Sequence, residues 1–117
     1  MKDTEIASLE KLGFDKDVTM ERFMQNEELF FRCLKKFPND VNYRKLIDSL
    51  ESEDVGGAFE AAHSLKGVTA NLGLNNLFDE LKPMVEVLRK DSLDVDKENI
   101  ERFKRFYEEA IEVINTF

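Results

Sequence analysis

Asp54-Val55-Gly56-Gly57-Ala58-Phe59-Glu60-Ala61-Ala62-His63-Ser64-Leu65-Lys66-Gly67-Val68-Thr69-Ala70-Asn71-Leu72-Gly73 decides the fold. Asp54 can cap a helix, and Gly73 can end it. At roughly 100° per residue, Val55, Ala58, Phe59, Ala62, Leu65, Thr69 and Leu72 share one face. That face is the expected core stripe. His63, the one histidine in the chain, lies on its flank.

Helical periodicity extends outward from this segment in both directions. Toward the C-terminus, Asn75 or Asn76 can start a helix with Leu77, Leu81, Val85 and Leu88 at helical spacing. Pro83 falls inside that pattern, so it should kink the helix unless the helix begins there. Asp94 or Asp96 opens a last helix, with Ile100, Phe103, Phe106 or Tyr107, Ala110, Ile111 and Ile114 inward. Toward the N-terminus, Asp40 can cap a helix containing Val41, Tyr43, Leu46, Ile47 and Leu50. Before it, Asn26 can cap a helix that Pro38 ends, with Glu27 and Glu28 suiting the first turn. Short pieces over residues 4–12 and 18–25 precede it, the first stopped by Gly13. No period-2 alternation or Asn-Gly hairpin signal argues for strands. The expected fold is all-α: an up-down antiparallel four-helix bundle over residues 40–116, with short capping helices over residues 1–37, in a single domain of residues 1–117.

Composition narrows the function classes. Seventeen basic residues against 25 acidic give a formal charge of −8, which disfavours nucleic acid and anionic membranes as partners. The single cysteine, Cys33, allows no intramolecular disulfide, and its apolar setting reads as a small hydrophobe. No stretch approaches the ~20 apolar residues of a spanning helix, and Met1–Glu5 has no apolar run of signal-peptide type. A cytoplasmic monomer is the expectation, and the Met1 start with a full set of helices favours a stand-alone protein.

The neighbours of His63 carry the chemistry. Gly56 is at i−7, Glu60 at i−3, Gly67 at i+4 and Ala70 at i+7, so three of these four side chains are minimal. A glycine inside a helix costs roughly 1 kcal/mol relative to alanine, so Gly67 needs a reason. Either another helix packs there, or an approaching protein needs clear access to the imidazole. Lys66 sits one turn from His63. A neutral imidazole is a good nucleophile toward phosphorus, and an ammonium can stabilise the charge on a transferring phosphoryl group. Glu60 is read as an orienting group for the ring or, more simply, as a solvated carboxylate.

Ala62-His63-Ser64-Leu65-Lys66-Gly67 followed by Ala70-Asn71-Leu72-Gly73 resembles the signature of the histidine-containing phosphotransfer (HPt) domain. Gly13-Phe14-Asp15, Asn26–Phe30 and Leu34–Phe37 resemble the family's lead-in. The resemblance implies a phosphorelay intermediate that carries a phosphoryl group on His63, taken from a receiver aspartyl phosphate or a kinase. It passes that group to a response-regulator aspartate. Lys66 would then stabilise the phosphoryl group, and Gly67 would give steric access. The implied partners are response-regulator receiver domains and a sensor or hybrid histidine kinase. The implied chain is a phosphocarrier, not an enzyme. It would have no cofactor or metal of its own, with Mg2+ on the partner receiver. No Gly-x-x-x-x-Gly-Lys-Ser/Thr phosphate loop occurs. Gly56, Glu60, Ser64, Ala70, Asn71, Leu74 and Phe78 are the candidate docking residues, with Leu77 and Phe30 or Phe31 as further contributors. Val68 and Thr69 depart from the small pair that commonly follows Lys-Gly; Thr69 falls on the core face, and Val68 nearer the opposite side.

Two other classes compete. A docking module without transfer would retain the helical face but leave His63 idle. A bundle enzyme fares worse: Glu60-Ala61-Ala62-His63 matches a di-metal half-motif once, and no second histidine exists to complete the pair. Hydrolysis through Cys33 is weaker still, with no histidine near it in sequence.

Overall fold

A computed structural model describes residues 1–117. The chain is helical throughout and contains no strand. In order come α1 (Asp3–Glu10), α2 (Lys16–Arg22), α3 (Glu27–Lys36), a 3₁₀ turn (Phe37–Asn39), α4 (Asn42–Glu51), α5 (Val55–Leu72), α6 (Asn75–Arg89) and α7 (Lys97–Ile114). No helix is long and apolar enough to cross a membrane.

Short polar side chains set most helix starts by accepting from otherwise unpaired N–H groups. Asn26 accepts from Leu29 N at 3.0 Å, Asp54 from Gly57 N at 3.0 Å, and Asp96 from Glu98 N at 2.9 Å. Asp40 does the same for Asn42 N at 2.8 Å from just outside α4. Gly73 ends α5 at φ +73°, and Leu74 N closes back on Thr69 O at 2.9 Å. A Cβ there would lie 3.0 Å from the Phe14 ring and would also meet Thr19 Oγ1, so only glycine fits.

The start of α6 differs from the expectation that Asn75 or Asn76 caps it. Leu74 precedes the helix, and no side chain caps it. Asn76 N instead donates to Leu12 O at 3.1 Å. The two asparagine side chains reach back as well, Asn75 Nδ2 to Gly13 O at 2.7 Å and Asn76 Nδ2 to Lys11 O at 3.0 Å. These amides thus fasten the end of α1 to the bend between α5 and α6. Pro83 neither starts nor interrupts α6. It is exposed, as is Asp79, whose carbonyl loses its intrahelical donor to the proline. Asn99 of α7, only 5% exposed, ties α7 to α6 by donating to the carbonyl and to the carboxylate of Glu80, both at 2.9 Å.

α5 packs on α4 and α6, and α6 packs on α7. Ala58, Ala61, Ala62, Leu65, Thr69 and Leu72 are the buried residues of α5. The buried arc differs from the expected stripe: Ala61 joins it, while Val55 and Phe59 are only half-buried. A helix flanked on two sides buries more of its circumference and leaves its ends open. α2 and α3 cover a further side of α5. Around fully buried Phe30, the rings of Phe14, Phe23 and Phe31 lie with centroids 5.3–5.4 Å away. Cys33 is half-buried against the same core.

Tyr43 of α4 stacks on Tyr107 of α7, with ring centroids 3.6 Å apart and planes 14° from parallel. Burial raises the pKa of both phenols above the ordinary value of about 10. Glu108 and the facing Tyr107 add to the effect on Tyr43, and Asp40 adds to that on Tyr107. Arg44 opposes the shift at both. A raised pKa stabilises the fold fully below the unfolded value of about 10, and that stability is lost as pH rises through the folded value. The chain has only two tyrosines, so absorbance near 295 nm reads this pair alone. Both should ionise above pH 10 in the folded protein and near 10 once unfolded. Folded-state ionisation at or below pH 10 would contradict the packing described.

Candidate functional site

The burial of α5 fixes the position of His63. Ala62 and Leu65 are fully covered, which turns His63, Ser64 and Gly67 outward. His63, Lys66, Gly67, Ala70 and Phe78 line one shallow, open depression. Lys66 and Phe78 are half-buried, and the Lys66 ammonium lies 6.0 Å from the Phe78 ring centroid. That distance is the outer edge of a cation–π contact.

Charge at the site is unevenly spent. Lys45 of α4 pairs with Glu60 at 3.0 Å. Glu60 therefore faces α4 and does not orient the imidazole. Lys66 pairs with no carboxylate. Its charge remains available beside His63 on a chain whose formal charge is −8. No group of three or more His, Cys, Asp and Glu side chains converges anywhere in the fold.

Of the two reasons for Gly67, the structure supports access. A Cβ built on Gly67 meets nothing within 4 Å, so no helix packs there. Gly56 is similarly open, its nearest neighbour being Asp54 Oδ1 at 3.8 Å. Ser64 and Asn71 are exposed. Ala70 is half-buried, and its carbonyl accepts from Arg22 Nη1 at 2.6 Å, tying α2 to this face. Leu74 corrects the expectation: it is 1% exposed, because the glycine turn folds it into the core, and it cannot line a docking face. Leu77 and Phe30 are buried for the same reason of packing. Phe31 is half-buried and packs on Phe117. Val68 is also half-buried against the core and not on the outward side.

One neighbour of His63, and the group that covers that neighbour, escaped the sequence reading. Phe59 lies one turn earlier, its ring 5.6 Å from the imidazole and 17° from parallel. It belonged to the expected core stripe, although its i−4 spacing to His63 was a usable signal. Arg89 of α6 holds its guanidinium 5.2 Å from the Phe59 centroid. No local pattern links it to Phe59, since only the pairing of α5 with α6 brings it there.

The fold and site together define a helical domain that exposes one imidazole on a helix flank, beside a free ammonium and a cleared glycine. Residues 40–113 match the Hpt domain family model, and the chain belongs to that family. Hpt domains perform histidine phosphotransfer in phosphorelays, working with kinases and response regulators as phosphocarriers and not as autonomous enzymes. The matched span runs from just before α4 almost to the end of α7, leaving α1–α3 outside it. No match was found among curated proteins, and none among solved structures.

The open space at Gly67 has a stability consequence. Gly67→Ala should stabilise the protein by about 0.5–1 kcal/mol, because alanine suits a helix interior and nothing clashes. Urea unfolding would measure it. A loss of stability would mean that the position is needed for packing after all.

Proposed function

We propose that His63 is the phosphoryl-carrying residue of this Hpt protein. The observation that carries the proposal is the outward imidazole beside the unpaired Lys66 and the open Gly67. On this reading α4–α7 form an up-down antiparallel four-helix bundle, and α1–α3 cap it within a single domain. The protein acts as a cytoplasmic monomer. It takes the phosphoryl group from a receiver aspartyl phosphate or a histidine kinase and gives it to a response-regulator aspartate.

In the forward step a lone pair on one nitrogen of neutral His63 attacks phosphorus in line. The P–O bond to the receiver aspartate breaks, and the carboxylate leaves with the electron pair. A proton on the other ring nitrogen stays there or passes to water. Lys66 faces the charge spread over the equatorial oxygens. Mg2+ on the partner receiver supplies further neutralisation. Gly67 lets the receiver backbone approach, and Gly56, Glu60, Ser64, Ala70, Asn71 and Phe78 border the docking face.

Mixing the protein with a receiver domain carrying a radiolabelled aspartyl phosphate tests this. Label should move to the wild-type chain and not to His63→Gln. Lys66→Gln should slow transfer by roughly tenfold, less than the 10²–10³ of a buried oxyanion donor, because solvent screens a half-exposed ammonium. Label on His63→Gln would refute the assignment.

A further inference from the structure

His63 makes no hydrogen bond or ion pair with any other residue. An exposed helical histidine free of such contacts has about two χ1 wells and two broad χ2 orientations, or roughly four arrangements. In-line transfer uses only those that aim a nitrogen at the incoming phosphorus. One feature limits this freedom. The Phe59 ring lies nearly parallel to the imidazole, at 5.6 Å and 17°. Phe59 is itself held in two ways: it is half-buried against the core, and the Arg89 guanidinium of α6 covers its ring at 5.2 Å.

We infer that Phe59 is a positioning residue for the phosphoryl-accepting imidazole, with Arg89 steadying it from α6. The inference rests on the His63 reading above. Phe59 touches no reacting atom. Its ring lies near-parallel to the His63 ring, and His63 itself is exposed. Glu60, the carboxylate nearest in sequence, is occupied by Lys45 at 3.0 Å, so no polar group competes to orient the ring. An aromatic pair of this geometry shifts a conformational equilibrium by about two- to tenfold. That range is enough to favour one of four arrangements.

NMR side-chain couplings and ring-current shifts of His63 test the conformational half without any partner. The wild type should show one dominant χ1 rotamer and ring protons shifted by Phe59. Phe59→Leu should average the rotamers and lose the shift, and Phe59→Tyr should keep both. Averaging in the wild type would overturn the inference even if His63 carries phosphate. Transfer kinetics from a phosphorylated receiver test the functional half. Phe59→Leu should lower the saturated rate about two- to threefold at unchanged half-saturation, Phe59→Tyr should restore it, and Arg89→Gln should lose less. An unchanged rate, a loss expressed only in half-saturation, or no rescue by tyrosine would each overturn it. Failure of the His63 reading looks different: the wild type would take up no label while the rotamer signature persisted.

Discussion

The close seating of α5 between α4 and α6 is the constraint from which the rest of the structure follows. Ala58, Ala61 and Ala62 are fully buried, and their small side chains let neighbouring helices approach. Leu65 and Leu72 continue that face toward the Gly73 turn. Once these positions are inside, the 100° step of the helix leaves no choice for His63 and Gly67. Both must point to solvent, and Lys66 must lie at the boundary. The site is thus a by-product of core packing, placed on a helix and not on a loop.

What distinguishes the site is how little surrounds it. The imidazole has no polar partner, Gly67 has no neighbour, and Lys66 has no counter-ion. Such openness suits a group that must be reached by a partner bringing its own catalytic machinery. It also carries a stability cost, since a glycine in mid-helix gives up roughly 1 kcal/mol that alanine would supply. Lost stability at a position with free space is the pattern expected where function opposes folding. The order that does exist comes from the α6 side: Phe59 beneath Arg89 before His63, and Lys66 near Phe78 after it.

Local chemistry made much of this legible in the sequence. Asn26, Asp54 and Asp96 cap where their short side chains can reach their own helix, and Gly73 terminates where a positive φ is required. The His63–Gly67 motif and the family it resembles were readable for the same reason, because the residues are contiguous. Readings that depended on distant chain were not. Asn75 and Asn76 look like caps, yet they serve Gly13 and Lys11, more than sixty residues away. Leu74 adjoins the motif but turns inward with the glycine bend. Pro83 looks disruptive, yet it lies on the exposed face of an unbroken α6. Phe59 has core periodicity, and only the tertiary structure shows it half-exposed beside the imidazole.

His63 is proposed as the residue that accepts the phosphoryl group. The most direct measurement is to locate the phosphoryl group after incubation with a phosphorylated receiver, by phosphorus NMR of the intact chain and mass spectrometry of its fragments. A single acid-labile N–P phosphorus, at one per chain, is expected in the fragment that contains His63. An acid-stable O–P phosphorus on the adjacent Ser64, or phosphate on any other fragment, would contradict it.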